Sequence, residues 1–148
     1  MNNLQKNNIN NDGAYTRKKA IEILVKILEN NKPLDNAFEE STKKSSHFSK
    51  LINEDKSFCR LLISTTLRNL TSIDYLLTKF LSKPLNKTPL KILMVLRINL
   101  AQSFFLKNPD HAVVNTSVEL SAGENEVAKG SVSSVAVKLK LVLSFIPA

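Results

Sequence analysis

The sequence predicts an all-α protein, a compact bundle of about six helices. Apolar residues recur at spacings of three and four from Ala20 to Leu120, which is the period of an amphipathic helix. The 148 residues include only three glycines and five prolines, and so few residues that break regular structure favour long helices over many short strands. Hydrophobic residues make up 43% of the chain, which is enough to form one core in a domain of this length.

The N-terminal segment is rich in asparagine, with six Asn among residues 1–13. It offers too little apolar surface to fold, so we expect a disordered tail over 1–13 and a helical domain over 14–145. Thr16 is the predicted N-cap of the first helix. The apolar stripe of this helix consists of Ala20, Ile23, Leu24, Ile27 and Leu28.

Two further helices are predicted before the middle of the chain. The segment 30–33, Asn-Asn-Lys-Pro, ends the first helix, and a short second helix covers 34–44 before a polar loop over 45–50. Asn53 or Asp55 then caps a third helix. Its apolar stripe consists of Phe58, Leu61, Leu62 and Thr65.

A fourth helix resumes after Asn69 and is stopped by Pro84. Thr88 and Pro89 begin a fifth helix, because proline is tolerated at the first helical position. The residues from 92 to 100 are apolar on nearly every face, so this helix belongs in the centre of the bundle. The apolar residues of the fourth helix are Ile73, Leu76, Leu77, Phe80 and Leu81.

The C-terminal third begins where Asn-Pro-Asp at 108–110 breaks the fifth helix, and a helix over 111–122 follows. The segment 131–146 fits two patterns. Val132, Val135 and Leu139 suit a helix, whereas apolar residues that alternate with lysines after 135 suit a strand. We favour the helix.

The net charge of +8 lies wholly within residues 1–100, because residues 101–148 carry four groups of each sign. A basic domain suits a polyanion, most often nucleic acid and sometimes a membrane surface, although a basic pI also aids solubility alone. The single cysteine, the polar N-terminus and the lack of a long apolar run indicate neither secretion nor a membrane span. We therefore expect a cytoplasmic protein.

Arg17, Lys18, Lys19 and Lys26 are the best candidates for nucleic-acid contact. Positive charge in the first turn of a helix opposes the helix dipole, so the first three suit a ligand better than they support the helix. Lys19 and Lys26 are two turns apart on one face. The alternative is a solvated helix face. Because basic and aromatic residues do not interleave in the sequence, we expect contact with backbone phosphate rather than base stacking.

Two arginines lie on otherwise apolar helices. Arg97 is expected to pair with Asp74 or Glu119, because an unpaired buried charge is costly. For Arg68, phosphate contact and an internal ion pair remain equal alternatives.

No constellation for catalysis, cofactor or metal binding is predicted. Cys59 adjoins an apolar stripe and is interpreted as structural, since no histidine lies near it in sequence to act as a base. His47 and His111 are far apart and have no cysteine at ligand spacing. No Gly-rich phosphate or cofactor loop occurs, so we expect the chain not to be an enzyme by itself.

Three blocks of sequence carry a resemblance to a known family. They are Asp55-Lys56-Ser57-Phe58 with Thr66-Leu67-Arg68 and Ile73-Asp74, then Lys83-Pro84-Leu85 with Val95-Leu96-Arg97 and Gln102, and finally Pro109-Asp110-His111-Ala112 with Val118-Glu119-Leu120. In this order and spacing the chain resembles the NusB superfamily. It is most similar to the N-terminal domain of the RsmB (Sun/Fmu) ribosomal RNA cytosine-5 methyltransferases.

This resemblance implies a helical RNA-binding domain whose basic first helix contacts ribosomal RNA or its precursor. A methyltransferase domain that binds S-adenosylmethionine is the implied partner. The alternative is a stand-alone NusB-type antitermination factor that acts with a ribosomal protein. The chain departs from the family at Asn99, where glycine is usual, and at 132–137, where the family's Asn and Arg are missing.

Overall fold

The computed structural model describes residues 3–44, 46–81 and 83–106. Within these ranges the chain forms six α-helices and no strand, which confirms the predicted fold class. The predicted helices over 111–122 and 131–146 lie outside the described residues, as do His111 and Glu119. The helices are α1 (Asn3–Asn30), α2 (Leu34–Lys44), α3 (Ser46–Ser49), α4 (Asn53–Arg68), α5 (Leu70–Phe80) and α6 (Leu90–Leu100).

The chain divides into two compact units, Met1–Ser64 and Thr65–Ala148. In the first unit α1 packs on α2, and α2 packs on α3. Phe38 of α2 meets Phe48 of α3 edge to face, with ring centroids 5.5 Å apart. The fully buried apolar side chains of this unit are Ala20, Ile23, Leu24, Ala37, Phe48, Cys59, Leu62 and Ile63.

The first helix begins at Asn3, so the predicted start at Thr16 is wrong and the backbone is helical where the sequence predicts a disordered tail. Thr16 lies in the middle of α1, and its side chain is buried. A helix that packing has nucleated further along extends by one hydrogen bond per residue without a new nucleus, and asparagine opposes this extension only weakly. The predicted end is confirmed: α1 stops at Asn30, and Asn31 takes a left-handed φ of 53°, which asparagine tolerates after a helix.

The buried face of α4 is turned by about one residue from the predicted stripe. Cys59, Ile63 and Thr66 are buried, whereas Leu61 is 49% exposed. Leu61, Leu62 and Ile63 follow one another, so two stripes in neighbouring registers both satisfy the helical period. Tertiary packing decides which of the two stripes is buried, and the helical period gives no information about that packing.

In the second unit α5 packs on α6, and a 3₁₀ turn over Leu85–Lys87 in their connection packs on α5. Ile73 and Leu77 form the buried side of α5. α6 is buried on almost every face, as predicted, although it begins at Leu90 and therefore one residue late. A π-helical turn over Ala101–Phe105 continues it.

Candidate nucleic-acid interface

Arg17 holds α1 to α4 within the first unit. Its guanidinium carbon lies 5.1 Å from the centroid of the Phe58 ring, and its Nη1 donates to the Gly13 carbonyl oxygen at 3.2 Å. The side chain is half-buried, and this burial lowers the pKa of Arg17 from its usual value. Arg17 is therefore part of the packing of this unit as well as a cation.

Lys19 and Lys26 are also engaged inside the first unit. The Lys19 ammonium donates to Glu22 at 2.8 Å and lies 5.6 Å from the Tyr15 ring centroid. The hydrogen bond to Glu22 is the main cause that raises the pKa of Lys19. The Lys26 ammonium lies 3.4 Å from the hydroxyl of Ser41 on α2.

The four α1 cations do not form one face. At about 100° per residue, Lys19 and Lys26 share a side as predicted, but Arg17 lies roughly 160° to 180° away from them. Lys18 is the exposed member of the set. Because α1 begins at Asn3, none of them lies in its first turn, and the dipole argument for these residues is wrong.

A second group of cations surrounds the α5–α6 connection. Asp74 is the only acidic residue in the sequence between 65 and 106, where six residues are basic. Lys79 lies in the last turn of α5, Lys83 and Lys87 lie in the connection, and Lys91 lies in the first turn of α6. All four are exposed, and we call them the lysine corner.

Arg97 binds the one acidic residue of this stretch. Its Nε donates to Asp74 Oδ1 at 2.8 Å and its Nη2 to Asp74 Oδ2 at 2.9 Å, so the pair is bidentate. The prediction that Arg97 pairs internally is thereby confirmed, with Asp74 as the partner. Arg68, at the last turn of α4, is exposed, and its predicted phosphate contact stays a prediction.

The exposed side of α5 carries a feature that the sequence analysis missed. Tyr75 is 63% exposed, and the Lys79 ammonium lies 5.0 Å from its ring centroid. Thr71, Ser72 and Thr78 are exposed at helical spacing beside them. The sequence does contain a signal for this contact: Tyr75 and Lys79 are four residues apart, a spacing that places both side chains on one helix face.

The remaining reactive groups form no site in the part of the chain that the structure describes. Cys59 is buried, and this burial raises the pKa of its thiol to about 12, so the nucleophilic thiolate is suppressed at neutral pH. His47 packs edge to face on Tyr15, with ring centroids 4.2 Å apart. No group of three metal-ligating side chains occurs among the described residues. None of the helices described is both long and apolar enough to cross a bilayer.

Comparison with known proteins decides the family. The sequence model of the NusB family matches residues 14–130. The chain belongs to the NusB family. A curated relative from Bacillus subtilis (strain 168), a probable ribosomal RNA small subunit methyltransferase B, is 33% identical over 103 residues, which cover 69% of this chain and 22% of the relative. This NusB-family chain thus spans less than a quarter of that protein's length.

Solved structures show the same fold. A protein chain in the crystal structure of a plectonemic RNA supercoil matches with a TM-score of 0.79 at 19% identity, covering 93% of this chain and 99% of that one. A chain in the complex of the antitermination factors NusB and NusE with double-stranded RNA matches with a TM-score of 0.76 at 21% identity, covering 90% and 97%. At such identities the likeness establishes a NusB-like architecture for this chain.

Proposed function

We propose that this NusB-family chain is an RNA-docking domain that binds structured ribosomal RNA. The observation that carries the proposal is the charge of residues 65–106. Arg68 and the lysine corner are exposed, while the one acidic residue between 65 and 106 is bound by Arg97. A surface of this kind attracts the phosphate backbone by releasing condensed counterions. A ribosomal RNA partner supports the further proposal that the domain acts in the cytoplasm.

The contacts of the first unit belong to the same proposal. Lys18 is exposed on α1 and can reach a phosphate without rearrangement. Arg17, Lys19 and Lys26 first have to loosen the contacts described above. Surface ion pairs such as Lys19 with Glu22 cost little to break, at most about 1 kcal/mol. We therefore rank Lys18 and Arg68 ahead of the other three as phosphate ligands.

We further propose that the domain docks RNA for a cytosine-5 methyltransferase domain and is not itself catalytic. The support is the Bacillus subtilis relative, which is 33% identical to this chain, against 21% for the chain in the NusB–NusE complex. Antitermination together with a ribosomal protein is the second candidate. Its support is a shared fold with a chain in the NusB–NusE complex.

The test is a salt titration of RNA binding. The affinity for a labelled stem–loop of small-subunit ribosomal RNA is measured by fluorescence anisotropy from low to moderate salt. Each lost phosphate contact lowers the slope of log K against log salt by about 0.7 to 0.9. The variant Lys83→Gln/Lys87→Gln/Lys91→Gln is therefore expected to flatten the slope by about two units.

The matched control is Lys43→Gln/Lys44→Gln/Lys50→Gln, which removes the same charge from exposed positions of the first unit. It is expected to change the slope by much less, because these lysines lie outside the lysine corner. Lys43 and Lys44 are also paired with Glu39 and Glu40. Equal slopes for the two variants would show that net charge alone governs binding. Wild-type protein without RNA affinity at low salt would overturn the proposal.

A further inference from the structure

We propose that the exposed side of α5 is a binding site for an unpaired RNA nucleotide, whose base stacks on Tyr75 and whose phosphate is held by Lys79. The residues of this α5 face are Thr71, Ser72, Tyr75, Thr78 and Lys79. The inference rests on the proposed RNA-docking function and adds to it a site that selects single-stranded over double-stranded RNA.

Tyr75 is held outward by its neighbours. Ile73 and Leu77, two residues to either side, are fully buried against the core of the second unit. Asp74, the adjacent residue, is fixed by two hydrogen bonds from Arg97. These contacts set the rotation of α5, so the Tyr75 ring stays on the surface. A ring that is 63% exposed contributes little to the core and is available to a ligand.

Lys79 supplies the charge beside the ring. Its ammonium lies over the Tyr75 ring, 5.0 Å from the centroid, in a cation–π contact. At an exposed site this contact is weaker than the stacking of a base on an aromatic side chain. An incoming base therefore displaces the ammonium or takes the opposite face of the ring. In either case Lys79 remains within one helical turn of the nucleotide and can bind its phosphate.

The other members of the face suit the ribose and the base edges. Thr71, Ser72 and Thr78 present hydroxyl groups, which donate and accept hydrogen bonds. The Thr78 hydroxyl donates to the Tyr75 carbonyl at 2.6 Å, which leaves its oxygen able to accept a bond from a ribose 2′-hydroxyl. The face itself carries no carboxylate that would repel the backbone, and it runs on into the lysine corner.

The ring selects the form of RNA. Bases inside a duplex are stacked on one another and are not open to a side chain, whereas bases of loops, bulges and single strands can stack on tyrosine. Electrostatic contacts of the lysine corner, in contrast, do not distinguish the two forms strongly. The α5 face therefore gives the domain a preference for unpaired over duplex RNA, which charge alone does not provide.

The decisive variants are Tyr75→Leu and Tyr75→Phe. Leucine keeps apolar bulk but removes the aromatic ring, and phenylalanine keeps the ring. Affinities are measured by anisotropy for an oligouridine probe and for a blunt RNA duplex of similar length. Tyr75→Leu is expected to weaken binding of oligouridine about 5-fold to 100-fold, as for the loss of one stacked base. Duplex binding and the salt slope are expected to stay unchanged, and Tyr75→Phe is expected to bind like wild type.

Tyrosine fluorescence gives an independent signature. The chain has two tyrosines and no tryptophan, and a base stacked on Tyr75 quenches its emission. Unlabelled oligouridine is expected to quench the wild type, whereas Tyr75→Phe binds without this quenching. Leu61→Ser, at an exposed apolar position of α4, is the matched control and is expected to leave both readouts unchanged.

The inference fails if Tyr75→Leu binds oligouridine as tightly as wild type. In that outcome a salt-dependent affinity for the ribosomal stem–loop still supports the proposed function. Equal losses of oligouridine and duplex binding would also overturn the inference, because a stacking site affects the single strand alone. Absence of any RNA binding by wild type would overturn both proposals.

Discussion

Arg97 and Asp74 join α6 to α5 through two parallel hydrogen bonds of 2.8 and 2.9 Å. Such fork geometry matches the planar guanidinium to the carboxylate and is among the stronger polar contacts in proteins. The pair also removes the one acidic charge between 65 and 106 from competition with phosphate. It thus stabilises the second unit, and the other charged side chains between 65 and 106 are all basic.

Removal of Asp74 is expected to destabilise the fold. The Arg97 side chain is only 12% exposed and Asp74 is 27% exposed, so Asp74→Ala leaves a poorly solvated guanidinium without its partner. Loss of one partner of a fully buried pair costs about 3 to 5 kcal/mol. Partial exposure reduces this to about 1 to 3 kcal/mol in the free energy of unfolding. Urea unfolding followed by circular dichroism measures it.

The control for this prediction is Glu39→Ala, whose partner Lys43 is 73% exposed. That substitution is expected to leave the free energy of unfolding nearly unchanged, because solvent screens this exposed pair. A double-mutant cycle of Asp74→Ala with Arg97→Met isolates the coupling between the two side chains. A coupling energy near zero would contradict the structural role assigned to the pair.

Cys59 is expected to resist thiol reagents in the folded protein. Burial raises the pKa of its thiol to about 12, so at pH 8 only about one molecule in ten thousand carries a thiolate at this position. Labelling by a disulfide reagent is expected to be slow in buffer and fast in urea, where the side chain is exposed. Rapid labelling of native protein at pH 8 would show that Cys59 is accessible.

The pattern of residues predicted the existence of the helices better than their ends and faces. Apolar residues on nearly every face of α6 predicted its burial correctly. Two neighbouring registers of α4 satisfied the same period, and packing that joins distant residues chose the one that exposes Leu61. The start of α1 depended on extension from a packed segment, which composition does not report.

The candidate site was predictable in charge but not in geometry. Clustering in sequence suggested that Arg17 and Lys19 act together, yet two residues of helix turn one side chain away from the other. Arg17 packs on the ring of Phe58, which is distant from it in sequence, so this contact could not be predicted from the sequence. The exposure of Tyr75 and its contact with Lys79 depend on the rotation of α5, which tertiary contacts such as the Asp74–Arg97 pair determine.

Asn99 offers a substitution that is expected to stabilise the protein. It is buried in α6, and its Oδ1 has no hydrogen-bond partner among the described residues. Asn99→Ala removes this unsatisfied acceptor and improves helix propensity, for a gain of about 1 kcal/mol. Thermal unfolding is expected to shift upward by roughly 3 to 5 °C.

The series Asn99→Gly and Asn99→Asp controls the interpretation. Glycine removes the same acceptor but costs about 1 kcal/mol in a helix interior, so its melting temperature is expected below that of the alanine variant. Aspartate places a carboxylate in the same buried position and is expected to destabilise. A lower melting temperature for Asn99→Ala than for wild type would mean that the amide makes a contact worth more than its burial costs.

Arg17 and Lys18 are adjacent, yet single substitutions at these positions are expected to have different effects. Lys18→Ala removes an exposed cation, so it is expected to lower the salt slope of RNA binding by up to about 0.9 without a change in stability. Arg17→Ala removes the guanidinium that packs on Phe58, so it is expected to lower the free energy of unfolding by about 1 kcal/mol. Urea unfolding and salt-dependent anisotropy on both variants separate the two effects.

Arg17→Lys, which keeps the charge but loses the planar stack, is expected to fall between wild type and alanine in stability. A destabilised Lys18→Ala, or an Arg17→Ala of unchanged stability, would contradict the placement of these two side chains on α1.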